Sequence, residues 1–151
     1  MDYLIPYNPA IICYNRGVVY LNCKNYKSAI DEFNRAIKHD PNCALFYNNR
    51  GLARSCLGNY HGALVDYEKA IKLDPKCHWA YVNKGFLLNE LGNTLESITN
   101  FNKAIDLNPN SWYAYYNRAL AYYKLGYNLQ SDDDYNRAIQ INPRFATHLY
   151  E

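Results

Sequence analysis

The chain has 151 residues, of which 49% are hydrophobic, and a formal net charge of +2 from 16 basic and 14 acidic residues. So weak a bias gives no general attraction to nucleic acid or anionic lipid, and we expect neither nucleic acid nor a membrane as a partner. No apolar run approaches the roughly 20 residues that span a bilayer, and the amino terminus does not resemble a signal peptide, so we expect a soluble, cytoplasmic protein.

Taken in chain order, the sequence predicts a short lead, residues 1–9, followed by four tandem repeats. The repeats are 34 residues long and comprise residues 10–43, 44–77, 78–111 and 112–145. A proline stands at position 32 of each repeat, at Pro41, Pro75, Pro109 and Pro143. Small residues recur at positions 8, 20 and 27 and an aromatic residue recurs at position 24. A fixed period of this kind is typical of stacked repeat architectures.

Each repeat predicts two helices, A and B, joined by a tight turn. Positions 20, 24 and 27 follow the i, i+4, i+7 rule and form one stripe of helix B. Small residues there and at position 8 let the two helices approach closely, with the aromatic side chain filling the space beside them. Gly58, Gly92 and Gly126 at position 15 predict a left-handed end to helix A, where the first repeat has Lys24. The proline and the Asp or Asn before it end helix B.

Residues 146–151 follow the fourth repeat and are interpreted as the start of a truncated capping helix. Position 21 is apolar in the first three repeats but is Asp132 in the fourth, which indicates that little packs beyond it. Ile139 and Ile141 nevertheless remain apolar, with only six residues to cover them. We therefore expect a partly bare C-terminal face through which two copies pair as a homodimer with two-fold symmetry, with Ile139 and Leu149 in the contact.

This pattern resembles the tetratricopeptide repeat family, whose motif has a 34-residue period, small residues at positions 8, 20 and 27, and proline at 32. The second repeat is nearly a family consensus, with Tyr47, Gly51, Gly58, Tyr60, Ala63, Tyr67, Ala70 and Pro75. The departures are basic residues at position 7, where the family usually has Leu, Arg54 at position 11, and Asp132 at position 21. The resemblance implies an all-α, right-handed superhelical solenoid of antiparallel helix hairpins. Its members bind extended peptides or partner helices in a concave groove and are rarely enzymes.

The resemblance places helix A on the concave surface, which is lined chiefly by positions 2, 5, 6, 9, 12 and 13. The peptide-contacting residues expected at these positions are Tyr14, Asn15, Asn49, Leu52, Trp79, Asn83, Phe86, Tyr113, Tyr116, Asn117 and Tyr123. An asparagine at position 6 of each repeat could pair with both groups of a ligand's peptide bond, or it could serve solvation and local hydrogen bonds. The aromatic and aliphatic lining is typical of an interface, either with a foreign ligand or with a second copy.

Chaperone-binding members of the family clamp a C-terminal carboxylate with Lys, Arg and Asn side chains in three successive repeats. Counted from the first repeat, these positions hold Tyr14, Val18, Asn49, Trp79 and Asn83. Counted from the second, they hold Asn48, Leu52, Asn83, Tyr113 and Asn117. Only the middle asparagine matches in either case, so the sequence predicts no carboxylate clamp.

Two rows of basic residues remain, at positions 7 and 26. They are Arg16, Arg50, Lys84 and Arg118, and Arg35, Lys69, Lys103 and Arg137. The rows could track phosphate groups, or their stems could cover apolar surface while the charged heads stay in water. The acidic residues among them favour the second interpretation. We expect the run Asp132–Asp134 to open a helix, where carboxylates favour the positive end of the dipole, rather than to bind a metal.

The sequence offers no evident chemistry. The five cysteines are odd in number and lack paired two-residue spacing, so we expect reduced thiols that serve packing and neither a disulfide framework nor a zinc site. The histidines His39, His61, His78 and His148 have no carboxylate or thiol at ligand spacing. We predict no catalytic residue, no metal and no cofactor.

These observations favour a binding module, an adaptor that presents a groove to a protein or peptide ligand. The first alternative is a self-associating scaffold that stacks end to end. The second is a regulatory repeat segment of a larger enzyme, such as a glycosyltransferase. A gene product that starts at Met1 would argue against the second alternative.

Overall fold

The computed structural model describes residues 8–144, and throughout this range the secondary structure is helical. The helices are α1 (Pro9–Asn22), α2 (Tyr26–His39), α3 (Ala44–Cys56), α4 (Tyr60–Leu73), α5 (His78–Glu90), α6 (Thr94–Leu107), α7 (Trp112–Lys124) and α8 (Asn128–Ile141). They pack as antiparallel pairs, which confirms the predicted all-α fold of helix hairpins. Between residues 8 and 144, no helix is both long and apolar enough to cross a membrane.

The chain divides into two compact units, Met1–Pro75 and Lys76–Glu151. The first unit holds α1 to α4, and the second holds α5 to α8. In each unit two hairpins stack, because the B helix of one hairpin packs against the A helix of the next. Odd-numbered helices are therefore the A helices of the predicted repeats, and even-numbered helices are the B helices.

The two helices of a hairpin approach closely where the sequence places small residues. A Cβ atom added at Gly51 would lie 2.7 Å from the Tyr67 ring, and one added at Gly17 would lie 2.6 Å from the Phe33 ring. Larger residues at position 8 would therefore displace the aromatic side chain at position 24. The alanines at position 27 are fully buried in all four hairpins, at Ala36, Ala70, Ala104 and Ala138. The predicted packing stripe is confirmed.

The turn between helices A and B adopts the left-handed conformation that the glycines predicted. The φ angles are 79° at Gly58, 86° at Gly92 and 77° at Gly126, and Lys24 adopts 58° at the same position. No heavy atom would lie within 4 Å of a Cβ atom at these glycines, so backbone conformation rather than space favours glycine there. Lys24 carries a side chain in a conformation that strains L-residues.

Helix B ends at the residue before each Asp-Pro or Asn-Pro step, as predicted. Asp40 is the C-terminal cap of α2, and its amide donates to the Ala36 carbonyl at 2.9 Å. The Asp40 carboxylate then accepts from the Asn42 amide at 3.0 Å, which fixes the turn around the proline. Asn108 and Asn110 repeat this arrangement at 3.1 Å in the second unit.

The predicted C-terminal face lies only partly in the described residues. Asp132 is exposed and Ile139 is half-buried. Residues 146–151, including Leu149, lie outside the described residues, as does the predicted lead apart from Asn8 and Pro9. Two-fold pairing through this face stays a prediction.

Candidate functional site

In the first unit, the residues expected to contact a peptide lie on α1 and α3. The ring of Tyr14 is enclosed, with its centroid 6.0 Å from that of Phe33 and 5.2 Å from that of Phe46. Its hydroxyl accepts a hydrogen bond from Asn49 Nδ2 at 3.1 Å. Burial raises the pKa of Tyr14 above its ordinary value of 10.0, against the opposing effect of the bond from Asn49, so the phenol is neutral at physiological pH. Asn15 is exposed and available to a ligand.

Asn49 already takes part in contacts within the unit. Besides donating to Tyr14, its Oδ1 accepts from Asn48 Nδ2 at 3.0 Å. One N–H and one lone pair remain for a ligand. Leu52, one turn further along α3, is half-buried.

In the second unit, the A helices carry large apolar side chains that are open to solvent. Trp79 is 46% exposed and Phe86 is 40% exposed, seven residues apart on α5. On α7, Leu120 is 39% exposed and Tyr123 is 70% exposed. We call these four side chains the aromatic face. Large apolar groups on neighbouring helices are characteristic of interaction sites.

Lys124 links α7 to α5 at the C-terminal ends of these two helices. Lys124 Nζ on α7 donates to the Asn89 carbonyl on α5 at 3.2 Å and lies 3.6 Å from Glu90 Oε1. Both charged groups are about half exposed, so water screens the pair. The pair brings no net charge to the aromatic face.

The other predicted contacts of the second unit are less accessible. Asn117 is only 3% exposed, and its Nδ2 donates to the Tyr113 carbonyl of its own helix at 2.7 Å. Asn83, Tyr113 and Tyr116 are half-buried. The ring of Tyr116 lies 6.5 Å from that of Tyr135 on α8.

Two of the basic residues at position 7, Arg50 and Arg118, pair with buried carboxylates instead of extending into water. The charged head of Arg50 is directed into its hairpin, where Nε and Nη2 donate to the two oxygens of Asp66 at 3.0 and 2.7 Å. Arg118 donates to Asp134 in the same way, from Nε to Oδ2 at 2.6 Å and from Nη2 to Oδ1 at 2.7 Å. The side chains of both arginines are less than a fifth exposed, so the expectation that these heads stay in water is wrong.

A third group completes each of these pairs. Arg50 Nη1 donates to Asn34 Oδ1 at 2.8 Å, and Arg118 Nη1 donates to Asn102 Oδ1 at 2.6 Å. Both asparagines stand at position 25 of the preceding repeat, on α2 and α6. Each arginine therefore ties its own hairpin together and fastens it to the hairpin before it. We call each such set an arginine junction: the arginine at position 7, the carboxylate at position 23 of the same repeat and the asparagine at position 25 of the repeat before it. The two sets are Arg50, Asp66 and Asn34, and Arg118, Asp134 and Asn102.

The first and third repeats vary this arrangement. Arg16 Nη2 lies 2.9 Å from Glu32 Oε2, in an ion pair without the alignment of a hydrogen bond, and Arg16 remains half exposed. In the third repeat Lys84 and Asn100 take positions 7 and 23, and Lys84 Nζ lies 3.8 Å from Glu96 Oε1. The sequence contained the signal, because a carboxylate stands 16 residues after each arginine at position 7.

The acidic run near the carboxyl end lies further along its helix than the sequence predicted. Helix α8 begins at Asn128, so Asp132–Asp134 lie in its second turn, and its first turn contains no acidic residue. The run does not open the helix. Asp134 is instead the buried carboxylate of the arginine junction, whereas Asp132 and Asp133 are exposed.

The thiols and histidines are dispersed. All five cysteines are free, and Cys13 and Cys77 are buried as predicted. Cys23 and Cys56 are exposed, so the packing role expected of them is wrong. Burial lowers the pKa of His78 from its ordinary value of 6.5. His148 lies outside the described residues.

Comparison with known proteins agrees with this architecture. The tetratricopeptide repeat family model matches residues 10–43 and 44–77, a second model of that description matches residues 113–145, and a TPR repeat model matches residues 85–126. No curated protein matches the chain significantly in sequence.

Solved structures share the fold at low sequence identity. MamA is 21% identical, with a TM-score of 0.79 over 93% of this chain and 82% of MamA. YrrB, described as a TPR protein with an unusual peptide-binding site, is 23% identical, with a TM-score of 0.76 over 95% of this chain and 74% of YrrB. The first TPR of Spaghetti (RPAP3), bound to an HSP90 peptide, is 22% identical, with a TM-score of 0.75 over 83% of this chain and 99% of that one. Together with the family matches, these findings identify the chain as a member of the tetratricopeptide repeat family.

Proposed function

We propose that this protein is an interaction module that binds an extended peptide or a helix of a partner protein on the A helices. The aromatic face carries the proposal, because it presents four large apolar side chains on two neighbouring helices of one unit. Such side chains supply most of the binding energy at protein interfaces. The peptide-binding site described for YrrB and the HSP90 peptide bound to Spaghetti support this class of ligand.

The chemistry of the face favours an apolar ligand without a required terminal carboxylate. The Lys124 ammonium is paired with Glu90. The His78 ring lies 4.7 Å from the Trp79 ring, and burial lowers the pKa of His78, which favours the neutral imidazole. The described residues of α5 and α7 therefore place no cluster of cations beside the face. In the first unit, Tyr14 takes a clamp position and its ring is packed inside the hairpin. Binding should therefore rest on burial of apolar surface, with amides such as Asn83 contacting the peptide backbone.

The test is selection of binding peptides from a random library, followed by titration against variants of the whole chain. Trp79→Ala should weaken binding by about 2 kcal/mol or more, the loss typical of an interface anchor. The matched control is Leu95→Ala, since Leu95 is 69% exposed but lies on helix α6. Circular dichroism should show that both variants keep their helices.

Salt dependence distinguishes the aromatic face from the basic rows. Affinity at the aromatic face should change little between low and high salt, because apolar contacts are not screened. A steep loss of affinity with salt, or equal affinity of Trp79→Ala and wild type, would contradict the proposal.

A further inference from the structure

The junctions inside each unit show what an A helix needs from the helix before it. In the first unit, α3 buries Phe46 at position 3 and Ala53 at position 10, which are 1% and 0% exposed. Both pack against residues of α2. Between them, Arg50 donates to Asn34 of α2. The contact thus combines two apolar positions with one arginine–asparagine hydrogen bond.

Helix α1 has the same kind of face but no preceding helix among residues 8–144. Ile12 at position 3 is 38% exposed, and Val19 at position 10 is 61% exposed. The Arg16 side chain between them is 53% exposed, against 15% for Arg50 and 18% for Arg118. Arg16 forms an ion pair with Glu32 of its own repeat, but no asparagine of a preceding helix B reaches it among the described residues.

Helix α8 carries the complementary face. Asn136 stands at position 25, where Asn34 and Asn102 accept from an arginine, and it is exposed. Ile139 stands at position 28, where Ile37 packs against the cluster that contains Phe46. The outer side of α8 therefore has the hydrogen-bond acceptor and the apolar side chain that would complete a junction with the outer side of α1.

We propose that copies of this chain associate head to tail, with α8 of one copy packed on α1 of the next. Asn136 accepts a hydrogen bond from Arg16 of the second copy, and Ile139 covers its Ile12. The two faces differ, so the contact is heterologous and can be repeated by further copies. It involves neither the aromatic face nor the two-fold pairing that the sequence predicted.

Asp132 weakens this contact relative to the internal junctions. It takes position 21, where Ile30 packs with the cluster of Ala29, Phe33 and Ala53 in the first unit. Placing a carboxylate near Val19 of the next copy costs desolvation. Association should therefore appear only at high protein concentration.

A gain of affinity is the first test. Asp132→Ile restores the residue found at this position in the first repeat and should tighten self-association about tenfold, the effect of burying one aliphatic side chain. Asp133→Ile is the matched control, because it makes the same change at the next exposed position of α8, which points about 100° away. Sedimentation equilibrium of the whole chain measures both.

Mixing two blocked chains tests the polarity of the contact. The double variant Val19→Glu with Asp132→Ile has a damaged α1 face, and Asn136→Lys has a damaged α8 face because the lysine faces Arg16. Neither should associate alone, while an equal mixture should form a dimer and nothing larger. The substituted positions Val19, Asp132 and Asn136 are exposed, so the variants should keep their helices.

Three results would overturn the proposal. Equal association of Asp132→Ile and Asp133→Ile would indicate unspecific apolar attraction. Dimers of the Val19→Glu double variant alone would indicate two-fold pairing through α8. Monomers of both wild type and Asp132→Ile at millimolar concentration would mean that the two faces are not open to a second copy.

Discussion

Removing an arginine from the arginine junction should have unequal consequences in the two units. Arg118→Leu places the usual family residue at position 7 but leaves the Asp134 carboxylate, which is 9% exposed, without its two hydrogen bonds. Loss of one partner from a buried pair costs roughly 3–5 kcal/mol. Since Arg118 itself is 18% exposed and some water can reach the site, we expect a loss of about 3 kcal/mol.

The same substitution at Arg50 should cost less, because Asp66 keeps a second partner. Arg54 Nη1 lies 2.8 Å from Asp66 Oδ2 and remains when Arg50 is removed. We expect Arg50→Leu to cost about 2 kcal/mol, within the roughly 1.5–3 kcal/mol of hydrogen bonds to a charged group, because the Asp66 carboxylate keeps one cationic partner.

Denaturation by guanidinium, followed by the helical signal, measures both losses, and hydrogen exchange of the α7 and α8 amides localises the larger one. The double variant Arg118→Leu with Asp134→Leu should recover most of the loss, because no unpaired charge remains. Equal losses for Arg50→Leu and Arg118→Leu, or no recovery in the double variant, would refute this account of the junction.

Three further predictions concern packing, the turn and the thiols. Ala70→Leu should lower stability by about 1–3 kcal/mol through overpacking, and an unchanged denaturation midpoint would contradict the packing of helices A and B. Lys24→Gly should raise stability by about 1 kcal/mol by relieving the left-handed strain, and an unchanged or lower midpoint would count against that strain. In the native protein a thiol reagent should modify Cys23 and Cys56 first, and all five thiols should react after unfolding without prior reduction. A smaller total would reveal a crosslink.

The sequence predicted the helices and their packing because those features depend on local and periodic signals. Gly51 and Tyr67 stand at fixed positions of a hairpin, and the structure brings them into the close contact that their sizes indicated. The end of each helix follows from backbone chemistry at a single step, such as Asp40-Pro41. Because every repeat packs in the same way, the period determines which side chains form the core between helices A and B.

Side-chain exposure at the candidate site was less predictable. Asn49 and Asn117 share one position of the repeat, yet Asn49 bonds to Tyr14 of another helix and Asn117 bonds to its own helix. Periodicity assigns a residue to a face but does not decide which partner an amide finds there. The aromatic residues were placed on the A helices, while the greater exposure of Trp79 and Tyr123 compared with Tyr113 required the structure.

The arginine junction explains why an arginine at position 7, where the family usually has leucine, is accompanied by a carboxylate at position 23 and an asparagine at position 25. An arginine there requires a carboxylate at position 23 of its own repeat, as Asp66 and Asp134 provide. It also finds an asparagine at position 25 of the repeat before it, as Asn34 and Asn102 provide. A leucine would pack without either partner, and replacing a buried pair with apolar residues is often neutral for stability. The polar junction therefore contributes less to the strength of stacking than to the choice of neighbour, because the arginine needs a hydrogen-bond acceptor at position 25 of the helix before it, as Asn34 and Asn102 provide. The same rule selects α8 as the neighbour of α1 in a second copy.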